Sequence, residues 1–339
     1  MSEMDEIALR MVARGKGILA ADESSGTIAK RFASIKVDST EEKRREYREL
    51  LFRSNDALRE CISGVILFDE TLRQNAGDGT PLVDVIRGTD VLAGIKVDQG
   101  LVPIKEGGVE TVTNGLEGLP DRLKEYRELG AVFTKWRAVF HIGESTPSKD
   151  AITRNADLLA KYAKCCQQAG LVPIVEPEVL MEGGHDIESC SDASTSVLRE
   201  VFGALGREGV RLEATVLKPN MVTPGDACAR RATSEEIAEK TLACFHNTVP
   251  AAVPGIAFLS GGQKDVEATE NLNAINALAN ASGKAPWALT FSFGRALQAG
   301  ALQAWGGEEA NIPAAQAEFH KRAQMNSKAS VGEWSASIE

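Results

Sequence analysis

The chain has 339 residues, 43% of them hydrophobic and 25% charged, which is the balance of an ordinary globular protein rather than a disordered or fibrous one. Its formal net charge is −10 with no basic tail or arginine-rich run, so nucleic acid is not an expected partner. No apolar stretch approaches the length of a bilayer span, so a membrane is not expected either.

Residues 1–16 come first. Met1 to Glu6 is acidic and lacks the basic-then-apolar layout of a secretory leader. Met4, Ile7, Ala8 and Met11 fall at helical spacing and predict an extra helix lying over the body of the fold. A first strand-like run, Gly17 to Ala21, is followed by a helical stretch from Thr40 to Cys61 with Thr40 as N-cap. Apolar runs then recur at Gly64 to Phe68, Val91 to Ile95 and Ala131 to Thr134. Helix 150–170 precedes the run Val172 to Val175, and helix 191–206 precedes Ala214 to Leu217. Helix 234–249, with Ser234 as its cap, leads to Ile256 to Leu259; helix 266–281 leads to Ala288 to Phe291. Residues 313–330 predict a polar C-terminal helix, and 331–339 a frayed tail.

Eight short strands alternating with helices argue for parallel βαβ units and an α/β fold of the TIM (β/α)8 barrel type. No Pro/Gly/Ser linker or internal repeat interrupts the chain, so 1–339 reads as a single domain. A doubly wound open sheet is the competing architecture, but no G-x-G-x-x-G follows the first strand. Six cysteines without C-x-x-C spacing, and a C-terminus without a peroxisomal address, read as the reduced thiols and location of a cytoplasmic protein.

Charges gather where these strands end. Strand one ends in Asp22-Glu23-Ser24, strand three in Lys96, strand four in Lys135 and Arg137, strand five in Glu176 and Glu178, and strand six in Lys218. In a parallel barrel all these tips share one mouth, the face that carries catalysis. Lys218 closes an apolar run and is followed at once by Pro219, where strand pairing stops. Burial there favours the neutral amine, a nucleophile for a carbonyl, and Lys135 on a neighbouring strand is expected to depress its pKa further. Glu176 stands on the strand between them, where a proton must move on and off a reacting amine. Glu178, two residues on, shares its face and can tune it. The alternative is an ion-pair network that only neutralises the mouth.

Strands seven and eight end differently, in Ser260-Gly261-Gly262 and in Ser292-Phe293-Gly294-Arg295. Backbone N–H groups, hydroxyls and a guanidinium without blocking side chains suit a phosphate, and barrels commonly bind phosphate there. Two ordinary glycine turns are the plainer reading. Neither loop has Walker spacing, so no nucleotide is implied. His141, His185, His246 and His320 show no paired spacing; no metal or other cofactor is expected, and His185 reads as a surface residue.

Several motifs resemble class I fructose-1,6-bisphosphate aldolase. They are Leu19-Ala20-Ala21-Asp22-Glu23-Ser24, Gly94-Ile95-Lys96-Val97-Asp98, Lys135-Trp136-Arg137, Val172-Pro173-Ile174-Val175-Glu176-Pro177-Glu178, Leu217-Lys218-Pro219-Asn220 and Phe258-Leu259-Ser260-Gly261-Gly262-Gln263. The likeness runs in order from about residue 5 to residue 325. It implies reversible cleavage of fructose 1,6-bisphosphate into dihydroxyacetone phosphate and glyceraldehyde 3-phosphate without a cofactor. It implies that Lys218 forms the Schiff base, that Glu176 is the acid and base tuned by Glu178 and Lys135, and that Asp22 handles the hydroxyl of the aldehyde half. Ser260, Gly261, Gly262, Ser292, Gly294 and Arg295 match the ketone-side phosphate positions. Ser24, Thr27, Arg31 and Lys96 match the far-phosphate side, with Arg44 and Arg137 nearby. A homotetramer is implied as well. Thr27 and Phe293 replace the serine and tyrosine of many relatives, and no tyrosine-ended tail follows Glu339. Another Schiff-base barrel lyase or transferase acting on sugar phosphates, or a non-catalytic scaffold, are the competing functions.

Overall fold

Eight parallel strands close on themselves in the computed structural model, which describes residues 1–339. They are β1 (Gly17–Ala21), β2 (Ile62–Leu67), β3 (Leu92–Lys96), β4 (Phe133–Phe140), β5 (Val172–Val179), β6 (Val216–Leu217), β7 (Gly255–Phe258) and β8 (Ala288–Phe293). Each pairs with its neighbours in the chain and β8 returns to β1, so the α/β TIM barrel is the architecture and the open sheet is excluded. Helices Lys149–Gln168, Ile187–Arg207, Ser234–His246 and Asp265–Ser282 lie within a few residues of their expected bounds.

Several elements differ from expectation, each for a local reason. The run Ala214 to Leu217 keeps only two strand residues, because Leu212–Ala214 coil into a 3₁₀ turn and the Thr215 hydroxyl donates back to the Arg211 carbonyl at 3.0 Å. Conversely, β4 and β5 run past Thr134 and Val175 because they pair in unbroken register from Phe133↔Val172 to Phe140↔Val179. The stretch 40–61 splits into Glu41–Phe52 and Asn55–Cys61, with the Ser54 hydroxyl bonded to the Leu50 carbonyl at the break. Thr233, not Ser234, caps its helix. A short hairpin, Leu101–Pro103 with Thr111–Thr113, fills the β3–β4 connection and had no distinct signal. Residues 331–339 are not frayed: Trp334 is buried, its N–H meets Asn273 Oδ1 at 2.9 Å, and Arg322 grips the Glu339 side chain.

The barrel interior follows from the two-residue strand period. Ile18 and Ala20 of β1, Ile66 of β2, Leu92 of β3, Phe133 of β4, Val172 and Ile174 of β5, Val216 of β6 and Ala257 of β7 form one apolar cluster inside the lumen. Their neighbours in between, such as Leu19, Val65, Ile95, Val175 and Leu217, join the larger core under the helices. Ile7, Ala8, Met11 and Val12 of the helix Glu3–Met11 and its C-cap complete the inner cluster, so this helix plugs the N-terminal end of the barrel. Space there is tight: a Cβ on Gly94 would stand 2.2 Å from the Phe133 ring. The same parity, continued one or two steps up each strand, delivers Asp22, Lys96, Lys135, Arg137, Glu176, Glu178, Lys218 and Ser292 to the open end.

Candidate active site

The open end holds a cavity of about 740 Å³. Of the residues singled out from the sequence, Asp22, Ser24, Thr27, Arg31, Lys96, Lys135, Arg137, Glu176, Glu178, Lys218, Ser260, Gly261, Gly262, Ser292, Gly294 and Arg295 all line it. Only Arg44 does not. Its guanidinium is held in bidentate fashion by Glu70 at 2.8 and 2.6 Å and donates to the Ser39 carbonyl, so its expected place beside the far phosphate is corrected to one behind the wall. His185 is also corrected: it is half-buried, with both ring nitrogens covered and unpartnered, in a loop whose carbonyl accepts from Gly225 N–H. No group of three or more His, Cys, Asp or Glu side chains is disposed to hold a metal ion.

A chain of alternating charge crosses the cavity floor. Lys218 Nζ lies 3.1 Å from Glu176 Oε1, and Lys135 Nζ lies 2.7 Å from Glu176 Oε2 and 3.1 Å from Asp22 Oδ2. All but Asp22 are buried outright, and the Asp22 side chain is only 11% exposed. The strands dictate this proximity: Arg137 sits opposite Glu176 in the β4–β5 register, so Lys135 lies one pleat below it, and Lys218 follows the short β6 on the other side.

Burial sets the ionisation of this cluster. It pushes Lys135 down to about 8 from its ordinary 10.5, against the pull of Asp22 and with help from the Lys218 charge. Lys218 is lowered too, first by burial; Asp22 and Glu178 oppose this and Arg137 adds to it. Burial is thus the first cause, as expected; the expected further contribution from Lys135 is corrected, because the cation that adds to the Lys218 shift is Arg137, and the repulsion between the two lysines lowers Lys135. Burial alone would raise Asp22, but Lys135, Lys218 and Lys96 outweigh it and hold the carboxyl far below the usual range, so it is ionised. Glu178 does not touch Glu176; it is bound by the Arg137 guanidinium.

Groups whose chemistry suits an anion ring the floor. Gly261 and Gly262 have φ of +55° and +94°, which glycine adopts freely, and both line the cavity with no side chain to screen their N–H groups. The Ser292 hydroxyl is buried without a protein partner, an orphan in a polar cavity that suits a ligand oxygen. Gly294 opens the helix Arg295–Trp305, whose first N–H groups lack intrahelical acceptors. Arg295 donates to the Gln263 carbonyl at 3.1 Å. Across the mouth, Ser24 caps the helix Ser25–Ala33 and shares a hydroxyl contact with Thr27 at 3.1 Å. Lys96 pairs with Asp98 at 3.0 Å. Sequence reasoning passed over Asp98 and Glu23 as site residues. The parity that found Lys96 also marks Asp98, two residues on; Glu23 lies out of phase and only packing brings it in.

A closed parallel barrel with a buried amine of lowered pKa at its open end, ringed by loops whose chemistry suits anions, has the arrangement of a lyase-type barrel for phosphorylated carbonyl substrates. Residues 3–339 match the family model of glycolytic class-I fructose-bisphosphate aldolase. The chain is 53% identical over 335 residues to fructose-bisphosphate aldolase C of Rattus norvegicus, covering 99% of this chain and 92% of that protein. The human aldolase C is 53% identical over 337 residues with the same coverage, and the non-muscle aldolase of Lethenteron camtschaticum is 51% identical over 332 residues, covering 98% and 90%. A Plasmodium falciparum fructose-bisphosphate aldolase, solved with TRAP and a small-molecule inhibitor, superposes with a TM-score of 0.95 at 48% identity, covering 98% of this chain and 95% of that one. The chain belongs to the class-I fructose-bisphosphate aldolase family, and its activity is that aldol cleavage in glycolysis.

Proposed function

We propose that Lys218 is the amine that attacks the ketone of fructose 1,6-bisphosphate, and that the charge chain Lys218–Glu176–Lys135–Asp22 carries the proton traffic. The contact of Glu176 with both lysines is the observation that supports this most directly. Neutral Lys218 adds to the carbonyl to give a carbinolamine. Glu176, protonated at this stage, donates to the departing hydroxyl, so water leaves and a protonated imine forms. Ionised Asp22 removes the proton of the hydroxyl on the carbon that becomes the aldehyde. The carbon–carbon bonding pair flows into the iminium as an enamine, and glyceraldehyde 3-phosphate departs. Protonation of the enamine carbon and hydrolysis of the imine return Lys218 and release dihydroxyacetone phosphate. Because the iminium is the electron sink, the scheme calls on no metal or cofactor. Lys135 holds both carboxylates in place, and Arg137 orients Glu178 beside them.

Ser260, Gly261, Gly262, Ser292, Gly294 and Arg295 would hold the ketone-side phosphate, and Ser24, Thr27, Arg31 and Lys96 the far one. Borohydride added with substrate, in buffer containing a chelator, is expected to fix the three-carbon or six-carbon adduct on the peptide containing Lys218. An unmodified Lys218, or turnover that stops with the chelator and returns with zinc, refutes the scheme. We also propose a cytoplasmic homotetramer, supported by family membership; light scattering that gives a single chain mass would discard the tetramer.

A further inference from the structure

We propose that Glu23, gripped from behind by Arg48 and Gln298, positions Arg31 at the cavity rim, making Glu23 and Arg48 determinants of the preference for a bisphosphate over a monophosphate. This rests on the reading above that the Ser24–Arg31 side takes the far phosphate.

Glu23 follows Asp22 in the chain, and its side chain is only 5% exposed. Its Oε1 accepts from Arg31 Nη1 and from Gln298 Nε2, the latter at 3.0 Å. Behind it lies Arg48, 1% exposed, whose Nη2 donates to the Glu23 carbonyl at 2.7 Å and stands 3.7 Å from Oε2. The other arm of Arg48 reaches Thr71 Oγ1, and its Nε has no partner at all. A buried arginine is costly to desolvate, and one left with an unpaired N–H costs more. The arrangement satisfies Glu23 rather than Arg48. Farther back, Arg48 lies 4.0 Å from Glu70, the carboxylate already clasped by Arg44. Charges therefore alternate from the rim to the outer helix, and Arg44 acts at the far end of that series.

Two consequences follow for the site. The Arg48 bond to the Glu23 carbonyl pins the peptide between Asp22 and Ser24, which both line the cavity. Glu23 also holds one edge of the Arg31 fork, leaving Nη2 3.6 Å from where a Cβ on Gly294 would sit, on the cavity wall that both residues line. An arginine held this way has already lost the rotamer freedom that binding would otherwise consume.

The test compares kcat and KM for fructose 1,6-bisphosphate and fructose 1-phosphate in Arg48→Lys, Glu23→Gln and Arg31→Met, with borohydride trapping of the monophosphate at Lys218 alongside. Arg48→Lys and Glu23→Gln should raise KM for the bisphosphate and cut the bisphosphate-to-monophosphate ratio of kcat/KM by roughly 10-fold, since misplacing a positioning group by about 1 Å costs up to about 100-fold. Trapping of the monophosphate should be unchanged. If Arg31→Met lowers the ratio but the other two lower both substrates equally, the positioning role is wrong. If Arg31→Met also leaves the ratio intact while Lys218 still traps, the far-phosphate reading fails and takes this inference with it. Glu23→Gln conserves size and Arg48→Lys conserves charge, and should one variant not fold, the other carries the comparison.

Discussion

Replacing Lys135 by methionine separates what its charge does for the chemistry from what it does for the fold. Its pKa of about 8, against an ordinary 10.5, means that holding the ammonium inside the folded protein carries a net cost of about 3 kcal/mol, at about 1.36 kcal/mol per pH unit. The attraction of Asp22 at 3.1 Å is already inside that net value, but the 2.7 Å contact to Glu176 works the other way, because breaking a buried pair from one side costs about 3–5 kcal/mol. The two nearly cancel. With 339 residues at about 2.1 cal/mol/K each, 1 kcal/mol moves Tm by only about 1.4 °C. Calorimetry at pH 7 should therefore find Lys135→Met within about 3 °C of the parent. Borohydride trapping at Lys218 should slow by about 100-fold, as for the loss of a proton-transfer partner, because Glu176 is then left to pair with Lys218 alone and keeps its ammonium protonated. The pH dependence has a defined sign. The folded value lies below the unfolded one, so between about pH 8 and 10.5 the unfolded chain binds more protons and stability rises with pH. The parent should show that rising contribution and the variant should lack it. Undiminished trapping, or a Tm drop beyond about 7 °C, would refute the reasoning, the latter by making Lys135 a structural pair.

Ser292→Ala removes a buried hydroxyl that has no protein partner, so Tm should hold or rise slightly while KM for the bisphosphate climbs by roughly 10- to 100-fold, the worth of a hydrogen bond to a charged group. A steady-state comparison in which KM stays put would remove Ser292 from the phosphate set. Gly94→Ala forces a methyl to within 2.2 Å of the Phe133 ring and should cost about 1–3 kcal/mol by overpacking, recovered in the double variant with Phe133→Leu. Thermal melts in which the second change gives no recovery would place the strain elsewhere.

The strands and their ends were legible in the sequence because a buried parallel strand must be a short apolar run, and a charge at its tip needs no tertiary information to be seen. Lys218 after Ala214–Leu217, or Glu176 and Glu178 after Val172–Val175, are visible this way, and the two-residue period already assigns them to one face. Family motifs then named the chemistry. What the strand pattern could not reach is anything settled by the rotation of one element against another. Arg44 has the same residue type and nearly the same position in the chain as a rim arginine, yet the helix Glu41–Phe52 turns it toward Glu70 and turns Arg48 toward Glu23. The tail 331–339 looks polar and loose until Trp334 and Glu339 meet Asn273 and Arg322 from other helices. The charges around Lys218 belong here as well: its burial can be read from the apolar run before it, but that Arg137 adds to the lowering while Asp22 and Glu178 oppose it follows only from the closed barrel. Local pattern fixes which side chains point inward, since that depends only on backbone period. Which charges meet, and how dry they are, depends on three-dimensional closure, and the tertiary structure alone decided it.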